Sequence, residues 1–319
     1  MMLLREIKGV FLLGLLVLSI GKGFGQDYPN KPIRILTGGA GGGADFTSRL
    51  VAQEISGPLG QPVVVENRLP LISTEAVAKA APDGYTLLVS GANIWIVPLL
   101  QKVNYDVVRD LLPVSFIEKT VAVLAVNPSV PCKTVQELIA LAKAKPGELN
   151  YASTVPGSTP QLSAELFKSM AGVNIVGIAY NGSGPALTAL ISGEAHLIFT
   201  DVGLVAPHVK SGRLRALAVT SADPSALMPG LPTLSSSGLP GYESVGMTVM
   251  FAPAKTSEAI ANRLSQEIAR AVHLPDIRQR FLNAGVEIVG SSPAQLAALV
   301  NSEVVKIGKV IKDAGIKIE

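Results

Sequence analysis

One cysteine, three histidines and one tryptophan are the chain's whole stock of thiol, imidazole and indole. Cys132 has no partner in the sequence, so no disulfide closes within one copy and stability rests on packing. His196, His208 and His273 show no H-x-x-x-H spacing, and without a second cysteine they form no zinc motif. No G-x-S-x-G turn presents a nucleophilic serine, and no Gly-Lys-Ser/Thr follows the glycine cluster as a Walker A loop requires. Charged residues make up only 16% of the chain, and a formal net charge of +3 gives no basic stripe for nucleic acid. Beyond Gly25 no stretch approaches the roughly 18 uninterrupted apolar residues of a membrane helix. These absences leave no catalytic residue, metal ligand or cofactor to assign, and they favour a binding protein over an enzyme.

What is present begins with a leader. Residues 1–25 carry basic Arg5 and Lys8, an apolar run from Val10 to Ile20 broken only by Gly14 and Ser19, and Gly23-Phe24-Gly25 as a small-x-small cleavage signal. This reads as a secretory signal peptide, and no cysteine follows it to anchor a lipoprotein. The mature chain is expected to be exported, soluble and monomeric. Arg5, Lys8, Lys22 and Glu6 all lie in the leader, so the remainder is nearly neutral. With 319 residues in all, 48% of them hydrophobic, the mature chain is long enough for two lobes.

The stretch from Ile33 to Leu50 organises the first lobe. Ile33, Ile35 and Leu36 suit a buried strand, while Phe46, Leu50, Val51 and Ile55 recur at helical spacing. Between them, Gly38 to Ala44 holds five glycines in seven positions, which calls for positive φ or a close approach by another molecule. Strand, glycine turn and helix start together make an anion site, because the first helical N–H groups lack internal partners and face the positive end of the helix dipole. Gly39 to Ala44 also fits G-x-G-x-x-A, with Glu66 at the end of the next strand, Val63 to Glu66. A dinucleotide-dependent oxidoreductase is therefore the enzyme alternative, although an exported chain seldom meets a diffusible dinucleotide.

The strand Tyr85 to Ser90 exits at Gly91 to Trp95, a second approach to the same strand ends, and Trp95 either lines a pocket or packs with Ile94 and Ile96. A crossing strand is expected at Thr120 to Asn127, stopped by Pro128 and Pro131, and Thr134 to Glu137 is a capping box for the next helix. Two strand-turn-helix units follow. Leu149 to Ser153 leads through Thr154 to Thr159 into a helix opened by Pro160, and Asn174 to Tyr180 leads through Asn181 to Gly184 into one opened by Pro185. Asp201 ends the strand from Ala195, where it serves either the cleft or the next helix cap. A second crossing strand runs from Val245 to Ala252, and the pair forms a hinge. From Ser292 a capping box opens a long C-terminal helix, expected to dock on the first lobe.

The motifs YPNKPIRI, AGGGADF, LGQPVVVENR, AVAKAAPDGYTLL, VNPSVPCKTVQELIALAKAKPGELNYAS, ELFKSMAG, GRLRALAVTS, LPTLSSSGLPGYE and KVIKDAGIK cover nearly the whole mature chain. Together they resemble the Bug family, the periplasmic solute-binding receptors of tripartite tricarboxylate transporters. The resemblance implies an α/β, two-lobed type II periplasmic-binding-protein-like fold with two crossing strands as hinge. Its lobes would be residues 27–124 plus 246–319, and 125–245. It also implies a small organic carboxylate as ligand and membrane transporter subunits as partners; a sensory receptor using the same cleft is the second binding hypothesis. Transferred by position, it marks Gly41, Gly42, Gly43, Ala44 and Asp45, then Ser153, Gly157, Ser158, Gly182 and Asp201. Phe46, Ser90, Asn93, Trp95, Thr154 and Thr159 adjoin these turns and complete the candidate set. The chain departs from the family pattern at Thr37-Gly38-Gly39, at Leu69-Pro70-Leu71, at Gln161 where a His is common, and at Asn181 where a basic residue is common.

Overall fold

The computed structural model describes residues 28–154 and 157–316. The signal-peptide reading falls on residues 1–25 and lies outside them. Strand β1 (Ile33–Thr37) buries Ile33, Ile35, Leu36 and Thr37, as a strand covered on both faces does. Helix α1 (Gly43–Leu59) returns over the sheet with Leu50, Val51, Ile55 and Leu59 inward, and ends at Gly60 in the left-handed region, φ 67°. β2 (Val63–Asn67) then pairs parallel with β1. Helix α2 (Pro70–Ala78) leads to β3 (Thr86–Gly91), parallel to β1 on its other side. The β3 exit forms a helix, α3 (Asn93–Leu100), which keeps Ile94, Trp95 and Ile96 buried.

After the single turn α4 (Val107–Asp110) the chain enters β4 (Leu111–Val126), longer than the expected Thr120 to Asn127. Pro113 hides the first half from a sequence reading, and the structure accommodates it at a register shift between Pro113 and Ser115. Leu111 to Val121 pair antiparallel with β9 (Val245–Pro253). From Ala122 onward β4 pairs with β7 (Leu197–Asp201) and β8 (Arg215–Val219). One strand thus belongs to two lobes. A second crossing lies beside it, where the Ser244 N–H reaches Thr220 O at 3.0 Å and Val245 already faces Val121.

The second lobe consists of α5 (Val135–Ala144), β5 (Asn150–Ser153), α6 (Thr159–Ala171), β6 (Val176–Ala179), α7 (Ser183–Ser192), β7, α8 (Val202–Lys210) and β8. Its β5 pairs parallel with β6 and β7, repeating the pattern of β1 with its neighbours. At α5, Thr134 accepts the Glu137 N–H, but Glu137 reaches back to the Lys133 N–H instead of closing the box on Thr134. The chain returns through β9, α9 (Glu258–Val272), α10 (Pro275–Asn283) and β10 (Val286–Ile288) to α11 (Pro293–Ala314), whose Ser292–Gln295 capping box is complete. The sheet order is β2-β1-β3-β9-β4-β7-β5-β6, with β8 and β10 also on β4.

Helix α11 touches more than the first lobe. Besides β4 and α3 it packs on α6 of the second lobe, because its stripe of Leu296, Val300, Ile307, Val310 and Ile311 outruns the first-lobe surface and joins a core containing Phe167 and Tyr151. Among the described residues no helix is long and apolar enough to cross a membrane.

Candidate functional site

The parallel strands β3 and β7 flank the crossing strands β9 and β4, with β1 and β5 one strand further out, and open α/β sheets place ligands beyond the carboxyl ends of such strands. At the end of β1 the glycine turn is held by its own helix. Gly41, at φ 79°, donates its N–H to Asp45 Oδ2 at 2.9 Å, and Gly42 donates to Gly39 O at 3.2 Å. Asp45 Oδ1 takes Asn67 Nδ2 at 2.8 Å and Arg49 at 3.0 Å. Burial would raise this carboxyl's pKa, but the bonds from Arg49, Asn67 and Gly41 outweigh it and hold the value at about 2. Asp45 is therefore an anion that shapes the turn. The N–H groups of Gly43, Ala44 and Asp45 open the helix and have no intrahelical acceptor.

The turn after β5 uses the same spacing with neutral chemistry. Gly157, at φ 76°, donates its N–H to Gln161 Oε1 at 2.8 Å, four residues on. Ser158 is the N-cap of α6, and its hydroxyl is buried without a hydrogen-bond partner. These residues form one wall of a cleft of about 380 Å³, with Gly157, Ser158 and Thr159 facing Gly91, Ala92 and Asn93 from the first lobe. Thr120 of β4 and Gly246, Met247 and Thr248 of β9 also line it. The lobes approach closely at its edge, since a Cβ on Gly157 would lie 2.8 Å from Leu100 Cδ1.

Of the sequence-selected residues, Asn93, Gly157, Ser158 and Thr159 line this cleft, and Ser90 joins Asn93 through a 3.2 Å hydrogen bond. Gly41 to Asp45 stand one strand away, at the end of β1 beside β3. Ser153 is buried at the end of β5, followed by the half-buried Thr154. Gly182, at φ 108°, caps α7 with open space where its side chain would be. Two residues turn away: Phe46 stands edge-on to Phe281 at 5.8 Å, and Trp95 is 1% exposed within the core. The histidines do not converge. His196 Nδ1 lies against Asn150, His273 Nδ1 against Ala269 O, and His208 sits on α8. Among the described residues no group of three or more His, Cys, Asp or Glu is placed to hold a metal.

Sequence reasoning missed a buried acid beneath the cleft lining. Glu118 on β4 is 2% exposed and faces Thr248 across the strands, while the Thr47 hydroxyl of α1 donates to its Oε1 at 3.4 Å. Its Oε2 has no partner. Burial chiefly pushes its pKa up to about 7; hydroxyl bonds from Thr248 and Thr47 oppose this, and Asp201 adds to it. Asp201 ends β7 opposite Ala122, opens to solvent, and has its own pKa raised by the protein around it. The available signal was the one acid of the strand, Glu118, set in Glu118-Lys119-Thr120 between apolar stretches.

Two α/β lobes sharing a crossing strand, with parallel-strand ends lining the cleft between them, define the fold class of the periplasmic binding proteins. The profile of the tripartite tricarboxylate transporter family receptors matches residues 47–316, and the chain belongs to that family. It is 34% identical to protein BugT of Bordetella pertussis over 299 residues, 92% of each chain. R. palustris Rpa4515, solved with adipate, has a TM-score of 0.71 at 33% identity, covering 91% of this chain and 99% of its own. MatC of Rhodopseudomonas palustris, solved with malate, has a TM-score of 0.67 at 28% identity, covering 89% and 100%.

Proposed function

We propose that this chain is an extracytoplasmic solute-binding protein that captures a small organic carboxylate and hands it to a tripartite tricarboxylate-type membrane transporter. The observation that carries this reading is the cleft itself, lined by strand-exit turns of both lobes and by residues of the two crossing strands. Such a site needs no lysine or arginine, because helix N-termini, turn N–H groups and hydroxyls suffice for a carboxylate. The adipate and malate bound by Rpa4515 and MatC support the same ligand class. The lobes are residues 27–124 with 246–319, and 125–245, and they close about β4 and β9. Ligand favours the closed form only by its differential affinity for that form, which the transporter then reads. The protein acts as a periplasmic monomer and catalyses no reaction.

The test is thermal unfolding of the mature protein with acetate, succinate, malate, adipate, benzoate and a nicotinamide dinucleotide. An acid at about 100 times its dissociation constant stabilises by roughly 2.7 kcal/mol. Stabilisation by the dinucleotide alone contradicts the reading and revives the oxidoreductase.

A further inference from the structure

The carboxyl of Glu118 stands between the Thr47 hydroxyl of α1 and Thr248 of β9, four residues before β4 passes to β7 at the Ala122–Asp201 pair. Residues two apart on a strand share a face, so Glu118 lies on the face of Thr120, which lines the cleft, as does its cross-strand partner Thr248. One oxygen is hydrogen-bonded and the other has no partner.

The charged groups on the surrounding elements are paired or distant. On α1, Asp45 and Arg49 bind each other. β9 carries no charge from Val245 to Pro253, β7 contributes only Asp201, and Arg215 of β8, opposite Val126 at the far end of β4, donates to Val130 O and Cys132 O. On β10, Glu287 binds Lys119, the next residue along β4, whose side chain takes the opposite face. On α4, Arg109 binds Asp110; on α9, Glu267 binds Arg263 and Arg270; on α11, Glu303 binds Lys306. Helix α8 carries His208 and Lys210 in its last turn, at the end away from Asp201. The side chains placed directly against Glu118 are those of Thr47 and Thr248, and neither carries a charge.

An anion held in this cleft lies over a buried carboxyl, since Glu118 sits beneath the lining residues Thr120 and Thr248, and no lysine or arginine lines the cleft to offset it. We propose that the cleft takes its carboxylate together with one proton held on Glu118, which makes Glu118 the residue that sets the pH range of binding. The proposal rests on the carboxylate reading above. Protonation removes the buried charge beside the incoming anion and turns the unpartnered oxygen from an orphan acceptor into an O–H donor. An ammonium-bearing ligand would do the reverse and drive the proton off. The sign of the coupling therefore reports the ligand's charge at this end of the cleft.

The test uses whichever acid of the panel binds tightest, titrated calorimetrically into the mature protein at pH 6 and pH 8, in two buffers of different ionisation heat. The expected result is affinity about tenfold weaker at pH 8, with nearly one proton taken up per ligand there. Glu118→Gln is expected to bind equally at both pH values, with no proton uptake. Asp201→Asn keeps the proton coupling and moves its midpoint to lower pH. Equal or tighter binding by the unaltered protein at pH 8 overturns the proposal, as does coupling that survives in Glu118→Gln. The proton count on the unaltered protein decides the matter if the Gln variant fails to fold. A pH-independent acid leaves the carboxylate reading standing and removes only the proton, whereas an absence of binding by every acid at both pH values removes both.

Discussion

The turns after β1 and β5 are built alike and charged differently. In each, a glycine near φ 75–80° gives its N–H to a side chain four residues later, in the first turn of the following helix. In the first lobe that acceptor is the Asp45 carboxylate, which also gathers Asn67 and Arg49; in the second it is the neutral Gln161 amide. A carboxylate with three partners rigidifies its turn at the cost of placing a negative charge beside the proposed anion site at the helix start. A neutral amide holds its turn less firmly but leaves the electrostatics open. The second turn lines the cleft and keeps an unpartnered Ser158 hydroxyl. The contrast separates a preformed support from an adaptable wall.

Removing the support has the largest expected effect. Asp45→Ala strips the acceptor from Gly41, Asn67 and Arg49, and should cost about 3 kcal/mol in urea unfolding at pH 7 and weaken acid binding. Asp45→Asn should cost less. The folded pKa lies below the unfolded one, so this contribution is present above about pH 4 and fades as the pH falls towards 2. The gap between the native protein and Asp45→Asn should close over that interval.

Glycine substitutions come next. Gly41→Ala and Gly157→Ala both force a side chain into the left-handed region, at roughly 1–2 kcal/mol each. Only the Gly157 methyl also meets Leu100 across the cleft. Gly157→Ala should therefore hold the lobes further apart in the liganded state, and Leu100→Ala in the same chain should restore part of the affinity; small-angle scattering and titration read the two effects.

The smallest effect sharpens the comparison. Gln161→Ala removes one neutral hydrogen bond, worth about 1 kcal/mol of stability. Gln161→Glu gives the second turn the charge of the first, and should weaken acid binding by a similar amount with little change in melting temperature. Unchanged affinity in Gln161→Glu would mean that the charge of this turn does not matter to the ligand.

The sequence makes legible what depends on local pattern. β1 and β3 are mainly apolar, the glycine turn stands out by composition, and α11 opens with a capping box at Ser292 that the structure reproduces. The cleft floor depends on register. Glu118 faces Thr248 only because β4 and β9 pair across more than a hundred intervening residues; Glu118 is the one acid of its strand and Thr248 the one polar side chain of its own. The half of β4 before Thr120 stayed hidden because Pro113 reads as a strand breaker until a register shift absorbs it. Asp45 was visible as part of the turn, but its role follows from the positions of Arg49 and Asn67 around it. Trp95 could be placed on either side of a pocket wall by sequence, and the fold puts it in the core.

A crystal structure of the mature protein with its tightest-binding acid tests the central claim most directly. The account predicts one carboxylate within hydrogen-bonding distance of the N–H groups that open α1 and of the Ser158 hydroxyl, bridging the two turns across the β4–β9 floor. A ligand bound by one lobe alone, or in a cavity away from these turns, such as that between Arg278 and Glu287, would contradict it.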